Sequence, residues 1–404
     1  MKISTSKNSF PLTRVLISLS LIFICLYGYG QTKGIIKLDG SKITTAQIDT
    51  FIKSTMEAAK VQGVNLAILN NNKIAYVQSY GFKNKPKNAL SDTATIVYGA
   101  SFSKAVFGYL IMKLVDEKVL DLDTPLYRYL KQPIAGYKYF ADLKDDDRWK
   151  KITARMCLSH TTGLPNVRYF NPITNAEDSI GIMKIYFTPG SKYAYSGEGF
   201  RLLQMAVEEL TNTKIYQLAK DKIFKPLNMT RTGYIWDESF GDDNVAVGHL
   251  NDGTIDVKRK RKEAVAGGSL VTTIADYAKF IQQVMQRKGL SKKSYDTMLS
   301  SQIAIHSVTQ FPPITEETTT ENDAIQLSYG LGWGLINCPG YGRAFFKEGN
   351  GGSWRNYNIN FQEKGTSIIL MTNSENGETI FQPVIEKLLG KTCIPWKWNG
   401  YHPY

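Results

Sequence analysis

Two alternating apolar runs stand near the start of the chain, VNLAILN (64 to 70) and KIAYVQSYGF (73 to 82). Four more stand near its end: YGLGWGLI (329 to 336), RAFFKEG (343 to 349), NYNINFQ (356 to 362) and TSIILMTN (366 to 373). Between about 100 and 300 the apolar spacing is mostly helical, broken by loops rich in Gly, Pro and Asn. Strands must pair to satisfy their backbones, so this order predicts one antiparallel sheet assembled from both ends of the chain, with a helical region inserted between them. The Asn71-Asn72 pair reads as a tight hairpin turn. TTAQIDTFIKSTMEAAK (44 to 60), capped at Thr44 or Thr45, and FQPVIEKLLG (381 to 390) read as helices. The expected fold class is α/β of the α+β type, a single domain over residues 31–404. Its sheet part covers about 44–95 and 325–390, and the helical insertion about 96–324. A cleft between a sheet edge and a helical layer is a common ligand site.

VYGASFSKAVFGYL (97 to 110) opens the insertion. A helix after Gly99 puts the Ser101 hydroxyl and the Lys104 ammonium on one face, a turn apart. Ala105, Tyr109 and Met112 continue nearby faces, so Lys104 points towards packing. Burial lowers a lysine pKa and lets it accept a proton from a neighbouring hydroxyl. The same spacing also fits a lysine whose stem packs while its head reaches solvent. Ser4 and Lys7 share the spacing with no chemistry attached. The rest of the chain has to decide.

Four further stretches bear on it: ITARMCLSHTTGLPN (152 to 166), FTPGSKYAYSGEGF (187 to 200), AVAGGSLVTTIADYAKF (264 to 280), and YGLGWGL with FFKEGNGG (329 to 335 and 345 to 352). Together with Ser101-x-x-Lys104, and in this order from roughly 45 to 390, they resemble the serine β-lactamase and D-alanyl-D-alanine carboxypeptidase superfamily. The likeness is nearest to its class C β-lactamase branch with the related esterases and peptidases. The resemblance implies a β-lactamase-like fold, with Ser101 as nucleophile, Lys104 as proton acceptor and Tyr195, in Tyr-Ser-Gly, as a second proton-transfer group. It also implies that Lys347-Glu348-Gly349 forms the substrate-side strand motif and that Asn350 supplies an oxyanion donor beside the N–H of Ser101. Gly197 stands where many members carry Asn, and Glu348 lies inside the Lys-x-Gly motif; both positions face bound substrate in the family, so both bear on substrate class. His160 falls in a segment that shapes the helical region, and Trp333 reads as core. No G-x-S-x-G occurs, which disfavours a Ser-His-Asp hydrolase.

Lys2, Lys7 and Arg14 precede an apolar run from Val15 to Tyr27, the pattern of a signal peptide over residues 1–30. The expectation is export to the periplasm or beyond; Ile24 before Cys25 argues against a lipoprotein anchor. Cys157, Cys338 and Cys393 then remain, enough for one disulfide among three pairings. His160, His249, His306 and His402 lack ligand spacing, and no metal or cofactor is called for. The formal net charge is +13, and the basic run Lys258 to Lys262 suits weak contact with anionic envelope polymers more than nucleic acid. The expected function is an exported serine hydrolase acting on ester or amide bonds of a small-molecule or peptide substrate, peptidoglycan-derived material among them, through an acyl-enzyme on Ser101. A true β-lactamase or D-alanyl-D-alanine carboxypeptidase is the second reading. An inactive envelope-binding protein of the same fold is the third.

Overall fold

The computed structural model describes residues 1–4, 34–257 and 260–404. Most of the expected signal peptide, and Lys258 and Arg259 of the basic run, lie outside the described residues.

Helix α1, Thr45–Ala59, begins with a reciprocal cap: Thr44 Oγ1 accepts the Gln47 N–H, and the Gln47 side chain accepts the Thr44 N–H. Its buried face is Ile48, Ile52, Met56 and Ala59. Strands β1, Gly63–Asn70, and β2, Lys73–Asn84, form the expected hairpin. Asn71 and Asn72 both have positive φ, 50° and 58°, a backbone that asparagine tolerates and that matches the twist of the flanking strands. After β3, Ala89–Leu90, and β4, Val97–Ala100, the insertion carries α2, Phe102–Asp116, α3, Gly197–Thr211, β5, Leu270–Thr272, and α4, Ile274–Met285. Then follow β6, Ile303–Ala304, β7, Ser328–Tyr329, β8, Gly334–Cys338, β9, Gly342–Gly351, β10, Trp354–Phe361, β11, Thr366–Thr372, and helix α5, Phe381–Leu389.

The main sheet has nine strands in the order β6-β7-β8-β9-β10-β11-β1-β2-β3, each pairing antiparallel. The two ends of the chain meet in it at the seam between β11 and β1, in register from Thr372 opposite Val64 to Ser367 opposite Leu69. Every residue of β1 is buried, as a strand covered on both faces must be. The two-residue period splits it: Val64, Leu66 and Ile68 pack with α1 and α5, while Ala67 and Leu69 pack with α2 and α4. The expected sheet with its helical insertion is what the chain forms.

Two expectations need correction. YGLGWGLI is not one strand but β7 and β8 joined by a turn at Gly330–Gly332. Gly332 has φ 89°, and a Cβ there would lie 2.9 Å from Lys104 O, so helix α2 seats directly on this turn. The insertion is also less helical than its spacing suggests: between α2 and α3 one five-residue α-helix, Ala154–Leu158, stands among short 3-10 turns. Pro125, Pro133, Pro165, Pro172 and Pro189 punctuate that stretch, and each removes a backbone donor and blocks helix continuation. Of the three cysteine pairings the chain forms Cys338–Cys393, and Cys157 is buried and free.

Candidate active site

Helix α2 is apolar on nearly every side, and everything from Phe102 to Met112 is buried, so the helix is an internal axle and not a surface element. Ser101 is its N-cap residue, but its hydroxyl makes no capping bond and stays available. The approach from β4 is bent at Ala100, which has φ 46°, a left-handed backbone costly for an L-residue. Ser103 holds that bend: its Oγ donates to Ala100 O at 2.5 Å and accepts the Leu270 N–H of β5 at 2.9 Å.

Lys104 is 3% exposed and does not snorkel. Its Nζ donates to Ser101 Oγ at 3.2 Å and to Gly267 O at 2.7 Å. Burial, and the nearby Lys347 cation, hold its pKa below the usual lysine value, towards the neutral amine. Tyr195, also buried, lies between the two cations, with Lys104 Nζ 4.8 Å and Lys347 Nζ 5.0 Å from its ring centre. Burial alone would raise its phenol, but Lys104 and Lys347, with a hydrogen bond from Ser101, bring it below its ordinary value. Lys347 is fully buried; burial opposes its charge, yet Tyr195 and Glu348 raise its pKa and keep it a cation. The arrangement thus brings a serine hydroxyl, a neutral-leaning amine, an ionisable phenol and a fixed positive charge into one cluster.

Gly349 sits where β9 runs past β4: a Cβ would be 2.6 Å from Gly99 O. Strand β8 pairs with β9 only as far as Gly334 opposite Phe346, so from Lys347 onward that edge of β9 has no strand beside it among the described residues. Asn350 is exposed at this edge, and its side-chain amide donates to the Tyr401 hydroxyl at 2.9 Å.

Two sequence expectations change here. Glu348 does not face the cleft: it is 5% exposed, with Oε2 3.0 Å from Lys347 Nζ and Oε1 accepting from Asn399 Nδ2 at 2.7 Å. Gly197 is not simply a missing side chain, because any Cβ at this position would lie 2.4 Å from Asn166 O. The segment around His160 occupies that space. Ala194 N–H donates to His160 O, Gly197 N–H to Asn166 O and Glu198 N–H to Pro165 O, locking residues 160–166 along the start of α3. His160 lies directly against Tyr195, its ring tilted by 32° with centroids 4.2 Å apart, closer than a residue that only shapes the helical region needs to be. The Ser196 N–H donates to its Nδ1 at 3.0 Å, and burial with the Lys104 and Lys347 charges keeps it neutral.

Sequence reasoning assigned no role to Gly267, whose carbonyl anchors Lys104, or to Asn356, whose amide donates to both Gly349 O and Tyr98 O. Paired glycines in AVAGGSL were the one hint, since a Cβ at Gly267 would stand 3.3 Å from Lys104 Nζ. Of the basic run, Lys260 pairs with Asp242 and lies over the Trp236 ring.

A beta-lactamase family model matches residues 48–386, a span holding every one of these groups except Asn399 and Tyr401. The chain belongs to the beta-lactamase family. As a beta-lactamase-family chain it is serine-hydrolase-like. It is similar to protein flp of Staphylococcus aureus strain MRSA252, 24% identical over 196 residues that cover 46% of this chain and 38% of that protein. A protein of Alkalihalophilus pseudofirmus is 27% identical over 226 residues, 54% of this chain and 56% of the relative. The chain thus spans well under two thirds of the curated relatives it matches. Among solved structures it resembles the octameric penicillin-binding protein homologue from Pyrococcus abyssi, with TM-score 0.65 and 22% identity over 82% of this chain and 74% of that one. SurE gives TM-score 0.63 and 17% identity over 89% and 77%. These likenesses carry the beta-lactamase-like fold.

Proposed function

We propose that this chain is an exported serine hydrolase that cleaves ester or amide bonds through an acyl-enzyme on Ser101. The observation that carries the reading is Lys104 Nζ at 3.2 Å from Ser101 Oγ, with Tyr195 bonded to the same hydroxyl. A serine hydroxyl attacks only when a base can take its proton, and here two groups biased towards their basic forms adjoin it. Ser101 Oγ bonds to the carbonyl carbon, its proton passes to the Lys104–Tyr195 pair, and the same pair returns it to the departing alcohol or amine. Water then repeats the sequence and releases the acid. The Ser101 N–H at the start of α2, where backbone donors lack helical partners, and the Asn350 N–H on β9 are the proposed oxyanion donors.

Esters and short peptides fit this site better than β-lactams. Gly197 contributes no side-chain amide, so a lactam side chain that needs one is left to water or backbone, at about 0.5 to 1.5 kcal/mol. The rim beside Tyr195 is apolar: Phe311, itself exposed, leans on Tyr195 with ring centres 5.5 Å apart, and exposed Val167 follows Asn166, which lies against Gly197. Such a rim favours an apolar acyl group. Export rests on the n-region and apolar run of residues 1–30, and contact with anionic envelope polymers on the net charge of +10 that remains once Lys2, Lys7 and Arg14 leave with that segment.

Intact-mass analysis after incubation with fluorophosphonate, p-nitrophenyl ester and penicillin probes tests the proposal. A fluorophosphonate adduct on Ser101, lost in Ser101→Ala with the fold retained, is expected. Full labelling of that variant sinks the assignment.

A further inference from the structure

The family match ends at residue 386, but the chain continues and turns back onto the site. Cys393 is tied to Cys338 at the end of β8. Beyond it, Trp398 O accepts the Gln310 N–H at 2.9 Å, and Trp398 Nε1 donates to Ser307 Oγ at 3.1 Å. Both bonds fix the loop that sets Phe311 against Tyr195. One residue later, Asn399, 8% exposed, donates its amide to Glu348 Oε1 at 2.7 Å, while the other carboxylate oxygen stays on Lys347 Nζ at 3.0 Å. An ionised carboxylate inside a protein persists only if its oxygens are satisfied. The remaining titratable groups around Glu348 are the phenols of Tyr193, Tyr329, Tyr357 and Tyr401, all buried and pushed up by that burial.

We propose that Asn399 is a positioning residue for Lys347: by holding Glu348 inward as a carboxylate, the C-terminal segment 391–404 sets the net charge presented to Tyr195 and Lys104. The inference rests on the acyl-enzyme reading of Ser101. It assigns a role in the site to a part of the chain outside the family match.

The direction of the effect follows from the groups around Tyr195. Lys104 faces it from α2, Lys347 from β9 and neutral His160 from the segment 160–166, while the Glu348 charge acts on it from beside Lys347. The Glu348 charge opposes ionisation of Tyr195 and favours protonation of Lys104. Without the Asn399 amide, Glu348 is left with an unpaired buried oxygen, and its carboxylate is no longer held beside Lys347 and Tyr195. Tyr195 and Lys104 then both lose their protons more easily. The acid limb of Ser101 reactivity should move to lower pH.

The test is the rate of fluorophosphonate labelling of Ser101 against pH, in wild type, Asn399→Ala, Glu348→Gln and the double variant. Lys397→Ala serves as control, since its pair with Glu321 is exposed and worth little. The limb is expected at lower pH in both single variants, no further in the double variant than in Glu348→Gln, and unmoved in Lys397→Ala. An unmoved limb in Asn399→Ala, or shifts that add in the double variant, overturns the proposal. Should Asn399→Ala not fold, Asn399→Leu keeps nearly the same side-chain shape and lacks the amide donor, so Glu348 loses the same hydrogen bond. An unmoved limb there also overturns it. If wild type gives no Ser101 adduct at any pH, it is the hydrolase reading that fails.

Discussion

Replacing His160 with Asn should remove a measurable share of the acid sensitivity of this fold. His160 is completely buried, has φ 60°, and stacks on Tyr195. Burial first, and then the charges of Lys104 and Lys347, hold its pKa well below 6.5, so the folded ring is neutral where the unfolded ring would take a proton. A base with a depressed folded pKa gives its full contribution above the unfolded value and loses it as pH falls. Each pH unit below 6.5 over which the folded ring stays neutral therefore costs about 1.4 kcal/mol, or about 2 kcal/mol over one and a half units. Asn does not titrate and accepts a left-handed backbone better than most residues. Loss of the stack and of the Ser196 bond lowers stability by a fixed amount at every pH. The assay is urea unfolding of both proteins from pH 8 down to pH 5, followed by tryptophan fluorescence. His249 and the carboxylates titrate alike in the two proteins and cancel in the difference. The stability gap between wild type and variant should narrow as pH falls, by the amount given above. A gap independent of pH would refute the reasoning, because it would mean that the ring is protonated in place or reached by water.

Gly197→Ala should destabilise the protein by about 1 to 3 kcal/mol, read as a lower urea midpoint, because its methyl would lie 2.4 Å from Asn166 O. An unchanged midpoint would mean that the segment 160–166 yields freely. Lys104→Ala and Tyr195→Phe should each slow Ser101 labelling by orders of magnitude, and together by far less than the product of the two losses, since they move one proton between them. Ala100→Gly relieves a left-handed backbone costing about 1 to 2 kcal/mol while freeing the unfolded chain by a similar amount, so its stability should stay within about 1 kcal/mol of wild type. Ala100→Val, by contrast, should fall clearly below it. Neutralising Lys260, Arg261 and Lys262 should weaken retention on an anionic polymer in a salt-dependent way and leave hydrolysis of a neutral ester intact; a collapse of hydrolysis would mean that this run shapes the cleft.

The sheet and helix α2 were legible in the sequence because each follows from a local period. Hydrophobic alternation gave β1, β2, β10 and β11, the Asn71-Asn72 pair gave the hairpin, and the three-residue step from Ser101 placed Lys104 on its face. What could not be read depends on contacts distant in the chain. The break in YGLGWGLI comes from Gly332 meeting Lys104 O, more than 200 residues away in sequence. Glu348 was expected at the cleft from the family resemblance, which says nothing of what lies behind the sheet, and its partner, Asn399, comes from a segment that shows no periodicity. Gly197 looked like a lost side chain, whereas the space beside it is filled by Asn166. His160 was assigned to scaffolding, and its contact with Tyr195 arises only because residues 160–166 run along the first turn of α3.

The seam between β11 and β1 also sets the order in which the molecule can be made. Strand β1 is apolar and buried on both faces, yet its neighbour β11 is encoded roughly 300 residues later. At translation rates of about 5 to 20 residues per second, the β1–β2 hairpin waits roughly 15 to 60 seconds before residue 372 is synthesised. During that interval one edge of the hairpin offers unpaired backbone groups to any other extended chain. Closing so long a loop makes folding slow, and helix α2 gains its sheet-side lining, Lys347 and Gly349 included, only when the last strands arrive. A nascent or truncated chain that stops before β9 therefore holds Ser101 and Lys104 without the strand that completes their surroundings. Reactivity at Ser101 should accordingly appear late, together with the closure of the sheet.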